Sequence, residues 1–204
     1  MVEFADLVRG RRMTRDFLSD PIPDGVLEHL VDLASRSPSA GKTQGWHLLV
    51  LRGAETAKFW DLSLPDERRS GFRWPGLLKA PVIALMLADP GAYVERYSEP
   101  DKARTGLGES VDAWPTPYWT VDGSMAMMTL LLAAEEQGLG ALLFGVFTAE
   151  SEIRDVLGIP AELQILGAIA LGHRAGSPGP GPGPGRSASR PRRPPGDIIH
   201  FGHW

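Results

Sequence analysis

The spacing of hydrophobic residues changes along the chain, and each change marks an element. Phe4, Leu7 and Val8 recur at helical spacing and stop at Gly10, which predicts a helix over 3–10. Beyond the turn Asp20-Pro21-Ile22-Pro23-Asp24, the residues Val26, Leu27, Leu30, Val31 and Ala34 form one stripe. That stripe predicts a second helix, N-capped by Asp24 and ending near Arg36. Residues 47–52 read as a strand and 54–62 as a short helix. Residues 82–88 are apolar without a break, as in a strand covered on both faces. The strongest helical stretch is 121–137. Met125, Met128, Leu132 and Glu136 follow one side of it, and Ala126, Thr129, Leu130 and Ala133 another. It is apolar almost all round, which places it in the core or in a dimer interface. Gly138-Leu139-Gly140 ends it. A strand over 141–147, a helix over 150–157 and a strand over 162–171 complete the pattern.

Two stretches depart from this alternation. Residues 89–120 are charged and turn-rich, with room for a short helix over 91–97, and end in Trp114-Pro115-Thr116-Pro117-Tyr118-Trp119. A segment of that length suggests a pocket wall or a movable lid. Trp114, Tyr118 and Trp119 would offer flat faces to a planar substrate, with core packing of the rings as the alternative. Residues 177–189 are rich in Pro and Gly and read as an extended connector. They divide a domain over 1–176 from an arm over 190–204. In the arm Ile198, Ile199, Phe201 and Trp204 are too apolar to stand in solvent, so it should dock on its own domain or on a partner subunit.

Composition narrows the function. The 204 residues suffice for one domain with a sizeable core, and a net charge of −4 supplies no field toward nucleic acid or a membrane surface. The chain has no cysteine, which excludes disulfides, thiolate nucleophiles and cysteine-ligated metals. The first residues carry acids where a signal peptide carries lysines, and no apolar run approaches the ~20 residues of a membrane span. A cytoplasmic protein is expected. The five histidines show no metal-ligand framework; His200 and His203 read as a surface pair.

The candidate chemistry lies in loops. Arg11, Arg12 and Arg15 fall within five residues, and a guanidinium fork matches the oxygens of a phosphate. Arginines scattered over a surface helix are the alternative. The loop Ser37-Pro38-Ser39-Ala40-Gly41-Lys42-Thr43-Gln44-Gly45-Trp46 contains Gly41-Lys42-Thr43, which imitates the end of a P-loop. Arg36 stands where that motif needs its first glycine, and a strand follows rather than a helix. The loop's Ser, Lys and Gln can instead bond the edge of a planar heterocycle and a ribityl-like chain. Gly138, Gly140 and Gly145 lack the Rossmann spacing and follow a helix.

Arg11-Arg12-Met13-Thr14-Arg15-Asp16-Phe17, the 37–46 loop, Gly138-Leu139-Gly140…Phe144-Gly145 and Arg190-Pro191-Arg192-Arg193-Pro194 together resemble the nitroreductase family of FMN-dependent oxidoreductases. The resemblance implies an α+β fold with a central, mainly antiparallel sheet flanked by helices. It implies an intertwined homodimer with two FMN sites, each built from both subunits. By resemblance, Arg11, Arg12, Met13 and Arg15 hold the phosphate and ribityl chain. Pro38, Ser39, Ala40, Lys42 and Gln44 of the other subunit line the isoalloxazine. Leu143, Phe144 and Gly145 pass beside the ring, Arg190 and Arg192 close over the phosphate, and the C-terminal arm crosses to the partner's sheet. Three positions depart from the family's pattern. Met13 stands where a serine is common, at the loss of one phosphate hydrogen bond. Lys42 stands where an asparagine is common, and a cation there would raise the flavin potential. Gly45 replaces a proline and should loosen the loop.

The implied activity is hydride transfer from NAD(P)H, through FMN, to a nitro, quinone or enone-type small-molecule acceptor in a ping-pong scheme, with no side chain named as catalytic. A flavin-sequestering or flavin-sensing protein, occluded by 89–120, is the second reading. A deazaflavin donor also stays open.

Overall fold

In the computed structural model, residues 3–176 and 189–204 are described; the expected connector lies outside them except for Ser189, as does Arg186. Four antiparallel strands form one sheet in the order β1-β2-β4-β3: β1 is Trp46–Arg52, β2 Val82–Ala88, β3 Gly140–Phe144 and β4 Gln164–Gly172. Every residue of β2 is buried, because both its faces are covered. Val82 and Met86 point to one side, with Ile169 and Leu171 of β4. Helix α2 (Val26–Ala34) brings Leu27 and Leu30 to that side, and α6 (Tyr118–Glu136) brings Ala126, Met127 and Leu130. Ile83, Leu85 and Leu87 point to the other side. There Ala168 and Ala170 leave room for Phe17, for Phe59 and Trp60 of α3 (Ala57–Ser63), and for Ile153 of α7 (Glu150–Leu157). The period-2 alternation of an extended chain thus feeds two cores, which is why β2 shows no polar position.

Helix α6 is central but not closed in. Ala126, Leu130 and Ala133 are buried, whereas Val121 and Met128 are 38% and 41% exposed. The N-terminal helix α1 (Phe4–Gly10) has no fully buried residue, and only Leu7 is partly covered. The arm is exposed at every residue from Ser189 to Trp204, with Phe201 at 84% and Trp204 at 97%. His200 stacks on Trp204 with ring centres 4.2 Å apart.

The structure moves several boundaries. Helix α6 begins at Tyr118 rather than at 121, taking in the end of the aromatic run, and α3 begins at Ala57 rather than at 54. Two further corrections have a visible cause. The N-cap of α2 is Gly25, at φ 83°, and not Asp24. The Pro23 carbonyl accepts from Val26 N–H (3.3 Å), so the chain turns its corner on the glycine and Asp24 faces Arg52 instead. Strand β3 ends at Phe144 rather than 147. Phe144 turns its ring onto Trp60, and Phe147 stands 92% exposed beyond. The 89–120 segment is a built structure. After the single turn α4 (Asp66–Arg69), helix α5 (Pro90–Ser98) starts on Asp89, which caps Ala92 N–H (3.2 Å), and Tyr93, Trp114 and Trp119 form a satellite core against Ala88.

Candidate active site

The 37–45 loop carries left-handed backbone at Gly41 (φ 61°), Lys42 (φ 56°) and Gln44 (φ 55°). Such conformations cost a non-glycine residue on the order of 1–3 kcal/mol and persist only where the surroundings impose them. Here they are imposed from several sides. Ala40 N–H and the Tyr93 hydroxyl both donate to Asp122 Oδ2, each at 2.8 Å. Arg96 Nε donates to the Gly41 carbonyl at 2.9 Å. Within the loop, Thr43 Oγ1 donates to Ala40 O, Gln44 N–H to Ser39 Oγ, and Gln44 Nε2 to Ser35 O. Ser37 Oγ lies 2.7 Å from Thr129 Oγ1 of α6. Burial, and next the bond to Asp122, push the Tyr93 hydroxyl far above the ordinary tyrosine range.

Gly45 does not loosen this loop, against the expectation from its replacing a proline. A Cβ there would stand 2.7 Å from the Tyr93 ring, so only glycine admits the close approach, and Gly45 O accepts from Asp89 N–H at 3.0 Å. The loop rims an open depression of about 510 Å³ between Arg36, Pro38, Ser39, Lys42 and Gln44. A second depression of about 440 Å³ adjoins it, with Leu33, Met125 and Met128 on its apolar wall.

The arginine segment is extended, not helical. Thr14 N–H donates to Ala141 O (2.8 Å) and Phe17 N–H to Gly76 O (3.1 Å), and Phe17 is fully buried. Arg12 turns its guanidinium back on the carbonyls of Arg9, Gly10 and Arg11 at the end of α1. Arg15 donates to Met13 O (3.3 Å) and lies over the Trp74 ring at 5.3 Å. Arg36, Arg69, Arg96, Arg154 and Arg174 each face a carboxylate. Arg11, Arg12 and Arg15 face none among the described residues. Arg174 escaped the sequence reading. It pairs with Glu135 at 2.5 Å and donates to Thr14 Oγ1 at 3.3 Å, a contact across 160 positions that no local pattern announces.

The remaining candidates fall as follows. Leu143 is half-buried on the α6 side of the sheet, and Phe144 stacks on Trp60 at 5.8 Å, nearly parallel. This stretch therefore offers its backbone rather than its rings. A Cβ on Gly145 would collide with the Phe147 ring. Arg190 and Arg192 are exposed in the arm, with no bond to the arginine segment among the described residues. Trp114 and Trp119 are each 8% exposed; Trp114 meets Tyr97 edge-on at 4.7 Å and donates to Leu107 O. Tyr118, 42% exposed, is the ring that the segment presents outward.

The two halves of the candidate site lie at opposite corners of the sheet. The loop enters edge strand β1 at Trp46, level with Ala88 and Gln164, whereas the arginines meet the opposite edge strand β3 at Ala141, near Gly140 and Gly172. Three strand spacings across and six to seven residues along separate Trp46 from Ala141 by roughly 25 Å.

An antiparallel sheet in an α+β fold, with a strained polar loop at one corner and arginines without carboxylate partners among the described residues at the other, defines the class. The chain belongs to the nitroreductase family, whose model matches residues 8–173, and on that membership it is an oxidoreductase. It is 28% identical over 179 residues to a protein of Thermus thermophilus named NADH dehydrogenase, covering 81% of this chain and 83% of that one. It is 28% identical over 199 residues to a 4-nitrobenzoate reductase of a Nocardioides strain, covering 83% and 80%. A crystal structure from Exiguobacterium sibiricum, in complex with FMN, superposes with a TM-score of 0.73 at 18% identity over 98% of both chains. Among the described residues, no helix is long and apolar enough to cross a membrane.

Proposed function

We propose that the protein is a cytoplasmic, FMN-dependent oxidoreductase that works as a homodimer and carries hydride from NAD(P)H to a nitro, quinone or enone-type acceptor. The observation that carries this reading is the separation of the two half-sites. On this reading the arginines of one subunit meet the 37–45 loop of the other across an interface. The open side of α6 and the exposed arm supply apolar surface for that interface. The residues present suit the cofactor: the arginines lack carboxylate partners, and the loop points Lys42 and Gln44 into an open depression. When bound, FMN supplies the acceptance and release of hydride. Arg11, Arg12 and Arg15 would hold the phosphate. The loop would orient the ring edge, with Lys42 placing a cation near it. Tyr118 is the side chain of the 89–120 segment best placed to contact an acceptor. The Nocardioides relative's name favours nitro compounds among the three acceptor classes.

Complementation tests the shared site. A chain with Arg11→Ala and Arg15→Ala, and a chain with Ala40→Trp, should each fail to bind FMN. Refolded together, they should regain one flavin per mixed dimer, because one of its two sites then has both halves intact. No recovery would refute a site shared between subunits. Oxidation of NADPH with a quinone by the yellow parent then distinguishes an enzyme from a protein that merely holds flavin.

A further inference from the structure

Asp122 is the only buried charged side chain among the described residues, at 2% exposure. It sits on α6 in a satellite core of Tyr93, Trp114 and Trp119, where an apolar residue would avoid the cost of desolvating a carboxylate. Packing therefore does not account for it. What it does is accept two donors on one oxygen, the Ala40 N–H and the hydroxyl of fully buried Tyr93. Ala40 opens the turn Ala40–Lys42, immediately before the backbone becomes left-handed. The same tyrosine ring closes over Gly45 at the far end of the loop. Asp122 and Tyr93 thus grip the loop at both ends, and Arg96 holds its middle through the Gly41 carbonyl. The Lys42 side chain makes no hydrogen bond among the described residues, so its position is set by the backbone that these ties hold, whose N–H donates to Ser39 O at 3.0 Å.

We infer that Asp122 is a positioning residue for the flavin ring: through Ala40 it fixes where Lys42 and Gln44 stand, and so sets how tightly the ring is held and at what potential it accepts hydride. This rests on the FMN reading above. Without the grip, the left-handed residues are free to relax and carry the Lys42 cation off the ring.

Two substitutions in the full chain test it. Asp122→Asn replaces a charged acceptor by a neutral one. Ala40→Pro deletes the donor; Ser39, at φ −142° and ψ 146°, already has the backbone that a following proline requires, and the first position of a helical turn tolerates proline. Each should weaken FMN and riboflavin by the same factor, about tenfold, because the loss is on the ring side and not at the phosphate. Each should lower the flavin midpoint potential. Combined, they should do no more than the larger alone, since the bond that Ala40→Pro deletes is one of the two that Asp122→Asn weakens. A lower melting temperature with unchanged potential and unchanged affinities for both flavins would mean that Asp122 is structural only, and would overturn the inference. If Asp122→Asn fails to fold, Tyr93→Phe, which removes only the hydroxyl, is read by the same criteria. A parent protein that binds neither flavin would overturn the FMN reading itself, and this inference with it.

Discussion

Arg15→Ala separates a phosphate clamp from an ornamental cation. Arg15 is half-buried, stacked on Trp74 at 5.3 Å, and bonded to the Met13 carbonyl at 3.3 Å. Trp74 and Met13 hold the guanidinium in place before any ligand arrives, so little side-chain entropy remains to be lost on binding. A charge-assisted hydrogen bond contributes about 1.5–3 kcal/mol, which corresponds to about a ten- to 150-fold loss of FMN affinity on truncation. The stacking itself contributes on the order of 0.5–1 kcal/mol to stability, so melting should drop only slightly. Titration of flavin-free protein with FMN and with riboflavin, by fluorescence quenching, reads the effect. FMN should weaken while riboflavin, lacking the phosphate, is unmoved. Arg15→Lys should recover only part of the loss, because an ammonium keeps the charge without the fork. Equal weakening of both flavins would refute the assignment and place Arg15 on the ring side or in the fold.

Four further outcomes follow from the same geometry. Trp114→Ala should cost about 3–5 kcal/mol of stability, because the ring is buried among Tyr93, Tyr97 and Trp119; thermal melting checks it, and a change in acceptor preference at unchanged melting would contradict it. Tyr118→Ala should do the opposite, shifting KM for the acceptor at constant melting temperature. Deleting 189–204 removes no residue buried within the chain, yet should dissociate the dimer and release flavin; a yellow dimer in sedimentation would show that the arm docks elsewhere. The hydrogen bond from Arg96 holds the Asp101 carboxylate below its ordinary value of 3.8. A lowered folded pKa contributes stability above the unfolded value and loses it as pH falls through the folded one. Protection of the 96–106 amides from hydrogen exchange should therefore fall below about pH 4, and Arg96→Met should abolish that acid limb.

What the sequence made legible, and what it hid, follows from the range of each interaction. The helices and strands were readable because their apolar periods are local. β2 was plain for a further reason: burial on both faces leaves no polar position to confuse the period. The errors at Gly25 and Phe144 lie where a backbone corner or an aromatic stack ended the element, and neither has a period. The loop and the arginines could be read as chemistry, since their residue types are unusual for plain turns. Their separation to opposite corners could not, because it is set by the strand order β1-β2-β4-β3, which no spacing encodes. Asp122 and Arg174 were missed for the same reason. Asp122 bonds residues 82 and 29 positions away, and Arg174 reaches Thr14 and Glu135 across 160 and 39. In each case a charged side chain leaves its own element to hold another segment's backbone or hydroxyl. In the sequence it looks like one more polar residue on a helix face or after a strand. The ring cluster at 114–119 shows the converse. Its composition suggested an exposed stacking surface, yet two of its three rings close a core around Tyr93, whose hydroxyl bonds Asp122. Aromatic residues gathered in a polar segment can therefore anchor that segment rather than bind a ligand. Exposure, which leaves Tyr118 to face outward here, decides between the two.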